Sequence, residues 1–272
     1  MEFGKFDLTV LCEGTFLVDG GAMFGVVPKV LWNKYNSSDE LNRIELSLNC
    51  LLIRTGDKNI LIDTGIGDKL GDKLKKIYGI IRKEDWLLEK IKPEDINIVI
   101  NTHLHFDHCG GNTCIEGGVL TPTFKNAKYI IQKGEWEEAM NPNERAKVSY
   151  LKENFLPIKE YDLLNLIEGE VEICPGVKTL VTGGHTAYHQ AVLIESDGNK
   201  AIYLGDFIPT VSFLNKSYAS AYDLYPLEIM KNKKEILQKA FEEHWLLIFD
   251  HDNKVAMGYL DKKEEKFVIN AV

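Results

Sequence analysis

The sequence predicts an α/β fold of two packed mixed sheets with helices on the outside. The prediction rests on two successive blocks of short apolar strands, each closed by helical periodicity. A sheet that is apolar on both faces needs a second sheet on one side and helices on the other. With 272 residues, no Pro/Ser-rich linker and no fixed-period repeat, one domain over residues 1–272 is the economical reading.

In the first block, apolar runs at 47–54 and 59–63 are joined by Thr55-Gly56-Asp57-Lys58, whose Gly-Asp pair signals a hairpin turn. Helical periodicity follows at 69–78 and 84–92. The near-continuous apolar run 96–100 then reads as a buried strand. Residues 128–132 predict another strand, and 135–140 and 143–155 predict helices. The second block has strands at 171–174, 179–181, 191–195 and 200–204. A long amphipathic helix at 226–243 precedes strands at 245–249, 255–260 and 267–269.

Composition narrows the function classes. Hydrophobic residues at 44% and charged residues at 27% describe an ordinary globular chain. A net charge of −9 disfavours a nucleic-acid partner, which calls for a basic face. The lysine-dense stretches 69–76 and 231–234 read as solvated helix faces. Five cysteines, an odd set without a CxxC pair, argue against a disulfide framework and against a cysteine zinc site. Cys109 and Cys114 read as small buried fillers. No apolar run reaches the roughly 18 residues of a membrane span, and residues 1–11 lack the blocks of a signal peptide. A cytoplasmic protein with no membrane partner is expected.

Directly after the strand ending at Ile100 comes Asn101-Thr102-His103-Leu104-His105-Phe106-Asp107-His108-Cys109-Gly110-Gly111. Imidazole and carboxylate are ligands that zinc, iron, manganese or cobalt accept. His103 and His105, two apart on an extended segment, point to one side. Asp107 and His108 lie past the turn, where a second ion could sit, and Gly110-Gly111 is expected to let the backbone bend tightly. Further donors stand at strand-to-loop junctions: His185 in Val181-Thr182-Gly183-Gly184-His185, Asp206 after Gly205, and His251 in Asp250-His251-Asp252.

The order HxHxDH, Gly-His after a strand, Gly-Asp, and a late His resembles the metallo-β-lactamase superfamily, from Asp63 to His251. The resemblance implies a four-layer αβ/βα sandwich holding two divalent metal ions, zinc first among them. One ion would be held by His103, His105 and His185, the other by Asp107, His108 and His251. Asp206 would bridge the two, opposite a shared hydroxide. Leu61-Ile62-Asp63-Thr64-Gly65 resembles the superfamily's Asp-Thr-Gly element, with Asp63 a buried acceptor orienting a ligand imidazole; it also reads as a turn-forming carboxylate. His189 resembles a supporting histidine rather than a ligand, and His244 reads as a surface residue.

Such a centre cuts esters, lactones, thioesters or phosphoesters, so finer features must choose. Residues 19–29, 205–210 and 221–226 resemble the quorum-quenching N-acyl-homoserine-lactone lactonases, which implies a small-molecule ester or lactone substrate and leaves a homodimer open. Asp107 is the candidate proton relay. These lactonases place a substrate-contacting tyrosine three residues after the bridging aspartate, where this chain has Pro209; Tyr222, or else Tyr188, is the candidate in its place. Met23, Phe24, Val26 and Trp32 read equally as an acyl pocket or as a loop tucked into the core. A glyoxalase-II-like thioesterase, an arylesterase or phosphotriesterase, and a metal-binding protein without turnover remain as alternatives. A β-lactamase proper, which lacks a histidine at the place of His108, and a nuclease are disfavoured.

Overall fold

A computed structural model describes residues 1–82 and 87–272. Its first seven-stranded sheet runs β1 (Glu2–Phe3), β2 (Phe6–Asp19), β3 (Arg43–Arg54), β4 (Asn59–Ile62) and β5 (Ile98–Ile100). After a two-stranded hairpin, β6 (Thr113–Glu116) and β7 (Val119–Pro122), the sheet resumes with β8 (Lys128–Gln132) and β9 (Leu164–Ile167). The second takes β10 (Glu172–Cys174), β11 (Val177–Val181), β12 (Gln190–Ser196), β13 (Asn199–Tyr203), β14 (Leu246–Ile248), β15 (Met257–Lys263) and β16 (Lys266–Ala271) in sequence order. Both sheets are mixed: β4, β5, β8 and β9 pair in parallel, as do β13 and β14, and the other pairs are antiparallel.

Period-two alternation explains the layering. On β3, Leu51 and Ile53 face the second sheet, joining Ile60, Ile62 and Ile100 against Val192, Ile194, Ala201, Leu246 and Ile248. Cys50 and Leu52 face the other way, against the helical layer that supplies Trp136, Ala139, Phe155 and Ile158. Beyond the second sheet, Ile202, Leu204 and Leu247 meet Ile229, Leu237 and Ala240. Helix, sheet, sheet and helix therefore stack in four layers, as the sequence predicted. Among the described residues no helix is long and apolar enough to cross a membrane, and all five cysteines are free.

The helices are α1 (Gly20–Phe24), α2 (Lys29–Trp32), α3 (Asp72–Tyr78), α4 (Leu87–Lys90), α5 (Phe106–Cys109), α6 (Lys133–Met140), α7 (Leu156–Glu160) and α8 (Pro226–Glu242). Expectation and structure differ in several places. The start of the helix expected at 84–92 lies outside the described residues. The helix expected at 143–155 is a series of turns with one 3₁₀ turn, Lys152–Asn154. Its backbone serves other elements: Ser149 O accepts from Phe106 N–H, and Glu153 O accepts from the Thr113 hydroxyl. The lysine run 231–234 is not wholly solvated either. Lys233 is 0% exposed, because helical spacing puts it in the buried stripe with Ile229 and Leu237. Its ammonium donates to the carbonyls of Phe213, Asn215 and Tyr218.

Candidate metal centre

The ends of β4, β5, β11, β13 and β14 open at one rim, and the segments that follow carry Asp63, His103 to His108, His185, Asp206 and His251. At β5 the chain leaves the sheet extended, so His103 and His105 share a side, and α5 then turns Asp107 and His108 toward the same point. Gly110-Gly111 acts differently from the expected bend. Gly110 has an ordinary φ of −58°, yet a Cβ there would lie 2.1 Å from Ile66 O, and one on Gly111 would lie 2.2 Å from Thr64 O. These glycines allow close backbone approach rather than a turn. Gly183 and Gly184 do need their freedom, with φ of 58° and 85°, to turn His185 inward from β11.

Asp206 stands at the centre. Its Oδ2 lies 3.0 Å from His185 Nε2, 3.6 Å from His108 Nε2 and 3.8 Å from His103 Nε2, and its Oδ1 lies 3.1 Å from His251 Nε2. His105 Nδ1 faces His185 Nε2 at 3.1 Å. The opposite ring nitrogens fix the tautomers. His108 Nδ1 donates to Asp63 Oδ2 at 3.0 Å, His185 Nδ1 to Asp223 Oδ1 at 2.9 Å, and His251 Nδ1 to Ser47 O at 2.7 Å. Thr102 Oγ1 donates to Asp63, leaving it to accept from His103 Nδ1 at 3.1 Å. Four Nε2 atoms therefore converge on one carboxylate.

This set fits divalent metal. The Nε2 atoms of His103 and His108 are buried without a hydrogen-bond partner, which is costly for a polar atom unless something binds it. Ligands about 2.1 Å from one tetrahedral ion sit roughly 3.4 Å apart, within the range seen around Asp206. Two groups have donor atoms mutually within 4.8 Å: His103, His105, His185 and Asp206; and His108, Asp206, Asp250 and His251. Asp107 lies at the edge of the second, its Oδ2 3.7 Å from His251 Nε2 and 3.8 Å from His108 Nε2. Burial and the neighbouring imidazoles hold His103 and His105 well below the usual histidine range, so both are neutral donors. Burial also opposes charge on His185 and His251, but Asp206 with Asp223, and Asp250 with Asp206, outweigh it and raise them to about 10 and about 9. A divalent cation would take over the charge balance those protons supply.

The floor of a cleft of about 180 Å³ holds His105, Asp107, His185, Asp206 and His251. Phe16, Val18, Met23, Leu46, Phe106 and Pro209 make its apolar walls, and Tyr78, Arg145 and Tyr222 also line it. Of the four residues weighed for an acyl pocket, Met23 lines the cleft. Phe24 and Trp32 are core residues stacked at 5.1 Å, and Val26 is 97% exposed. Tyr222 faces the cleft, and burial raises its phenol to about 12, so it stays a donor. Tyr188 is not among the lining residues; its ring packs where Gly134 leaves room. His189 is buried beside the His103 ring with Nδ1 on Thr182 Oγ1, and His244 is exposed and stacked on Tyr259.

Sequence reasoning missed Asp250, Asp223, Glu135 and Tyr78. Asp250 had a signal in its place beside His251; burial raises its carboxyl to about 7. Asp223 had one in its place beside Tyr222, within 221–226, and Glu135 and Tyr78 reach the site only through tertiary packing.

Comparison with known proteins finds relatives in sequence and in fold. Residues 43–251 match the Metallo-beta-lactamase superfamily model. An N-acyl homoserine lactonase from a Bacillus species is 31% identical over 232 residues, covering 79% of this chain and 85% of the relative. The crystal structure of a probable metal-dependent hydrolase from Staphylococcus aureus superposes with a TM-score of 0.90 at 33% identity, covering 100% of this chain and 99% of that one. The dizinc quorum-quenching lactonase AidC shares the fold at a TM-score of 0.80 and 19% identity, over 100% and 96% of the two chains. With a match that runs from the third strand through the last of the converging histidines, this chain belongs to the metallo-β-lactamase superfamily.

Proposed function

We propose that this chain is a hydrolase that binds two divalent metal ions, zinc first among them, and opens an ester or lactone bond, with N-acyl-homoserine lactones as its substrates. The observation that carries the reading is the convergence of imidazole nitrogens on Asp206 at the floor of an apolar-walled cleft. The relatives named N-acyl homoserine lactonase support the choice of substrate.

In this reading His103, His105 and His185 would hold one ion, Asp107, His108 and His251 would hold the other, and Asp206 would serve both. When bound, such ions lower the pKa of a coordinated water toward neutrality and polarise a carbonyl. The Asp107 carboxylate, at the cleft edge, is the group placed to carry a proton from the attacking water to the leaving alkoxide. The Tyr222 hydroxyl donates to the substrate carbonyl, the part that Pro209 cannot play. Phe16, Val18, Met23, Leu46 and Phe106 take the acyl chain and exclude water. Arg145 lines the cleft without a lysine or second arginine among the described lining residues, and its Nη2 donates to the carbonyls of Ala221 and Asp223. That weighs against a site built to grip a glutathione carboxylate.

A substrate panel run beside metal analysis tests the reading: acyl-homoserine lactones of increasing chain length, aryl esters, thioesters and phosphotriesters. The lactones are expected to give the highest kcat/KM, rising with acyl length. A full metal complement without turnover of any member of the panel would make the chain a metal-binding protein, and faster thioester cleavage would make it a thioesterase. The same panel reads directly the second reading, arylesterase or phosphotriesterase activity at this centre.

A further inference from the structure

Two buried carboxylates flank the candidate centre: Asp63 reaches both donor groups, and Glu135 reaches one. Asp63 accepts from His108 of the second donor group and from Thr102, whose hydroxyl meets His103 of the first. Glu135, on α6, is 1% exposed and serves the first. Its Oε1 accepts the Leu104 amide at 2.9 Å and the Tyr150 hydroxyl at 3.0 Å, and its Oε2 accepts the Thr186 hydroxyl at 2.6 Å. Leu104 is the residue between His103 and His105, and Thr186 directly follows His185. The Tyr150 ring meets His105 edge-on with centroids 4.9 Å apart. Each of its three partners thus adjoins an imidazole of the first group, and none of the hydrogen bonds given for Glu135 reaches His108 or His251. Burying a carboxylate is unfavourable unless its oxygens are well bonded, and here both oxygens are.

We propose that Glu135 is a positioning residue for the first donor group, fixing the end of β5 against the His185 loop so that His103, His105 and His185 present their nitrogens to one ion. A support of this kind typically changes metal affinity about ten- to a hundredfold. The inference rests on the two-ion reading and sharpens it, because removing Glu135 acts on one ion and spares the other.

The test compares full-length wild type, Glu135→Gln and Thr186→Val, each stripped and titrated with zinc against a fluorescent chelator, with the absorption spectrum of the cobalt-loaded form as a second readout. Wild type should bind two equivalents. In both variants one equivalent should keep its affinity and the other should weaken about tenfold or more, with an altered cobalt spectrum. Unchanged affinities in both variants would overturn the proposal, as would equal weakening of both equivalents with a lowered melting temperature. Should Glu135→Gln not fold, Thr186→Val reads the Oε2 contact alone. A wild type that binds only one equivalent would instead sink the two-ion reading.

Discussion

Asp63 Oδ2 lies 3.0 Å from His108 Nδ1, while the same carboxylate's Oδ1 accepts the Thr102 amide at 2.8 Å. One buried side chain therefore orients an imidazole and fixes the strand end that delivers His103. Asp63 holds a positive φ of 55°, a conformation that aspartate tolerates better than most residues, so its backbone is as specific as its side chain. Asp63→Asn should keep the shape but lose the charged acceptor that sets the His108 tautomer. Zinc affinity should fall about ten- to a hundredfold in one of two binding steps, as read by chelator competition. Full affinity in both steps would reduce Asp63 to a turn residue.

Close backbone approach behind the centre leads to a second expectation. A Cβ at Gly110 would lie 2.1 Å from Ile66 O, and neither backbone can move without dragging the Asp-Thr-Gly loop or the His108 turn. Gly110→Ala should cost more than about 2 kcal/mol, visible as a melting temperature lower by several degrees with a weakened metal complement. An unchanged melting temperature would mean the two loops are freer than their contacts imply.

Burial of Glu13 predicts a pH dependence of stability. Burial raises its carboxyl to about 7, although Arg82, 3.4 Å away, and the Ile66 amide pull it down. The folded chain therefore keeps a proton that the unfolded chain has lost between about 4.5 and 7. Stability from protonated Glu13 is complete below about 4.5 and is lost as pH rises through about 7, in total on the order of 3 kcal/mol. The stripped Glu13→Gln variant should lose that part of the slope. Parallel wild-type and variant stability curves from pH 5 to 8 would refute the assignment.

Tyr222 should act as a neutral donor. With its phenol raised to about 12 by burial, with Tyr78 and Asp107 adding to the effect, it should contribute no alkaline inflection to the kcat/KM profile below about pH 11. Tyr222→Phe should lower kcat/KM for lactones about tenfold while leaving metal content at the wild-type level. No loss of activity would pass the carbonyl contact to another group, with Tyr78 next in line because it shares the cleft.

How much of this was legible in the sequence depended on where each signal lies. The donors after β5, β11, β13 and β14 stood out because each directly follows an apolar strand, and the structure brings them to one rim. Strand β2 did not stand out. Its alternation breaks where the register shifts between Cys12 and Thr15, which turns Glu13 inward and disrupts the period-two pattern. The helical reading of 143–155 failed because Tyr150 and Ser149 bond to Glu135 and Phe106, so tertiary contacts override local propensity there. Tyr78 and Glu135 carry no motif, and Asp223, inside the 221–226 stretch, gives no sign there of its contact with His185; their places follow from which helix or strap packs over the rim.

The central claim is that Asp206 is shared by two ions, and the most direct measurement is the metal content of saturated, desalted wild type and Asp206→Ala by elemental analysis. The account predicts two equivalents per wild-type chain, with the variant holding fewer and its lactone hydrolysis reduced at least about a hundredfold. Fewer than two equivalents of any transition metal on the wild type, or an Asp206→Ala chain that keeps both ions and its turnover, would contradict it.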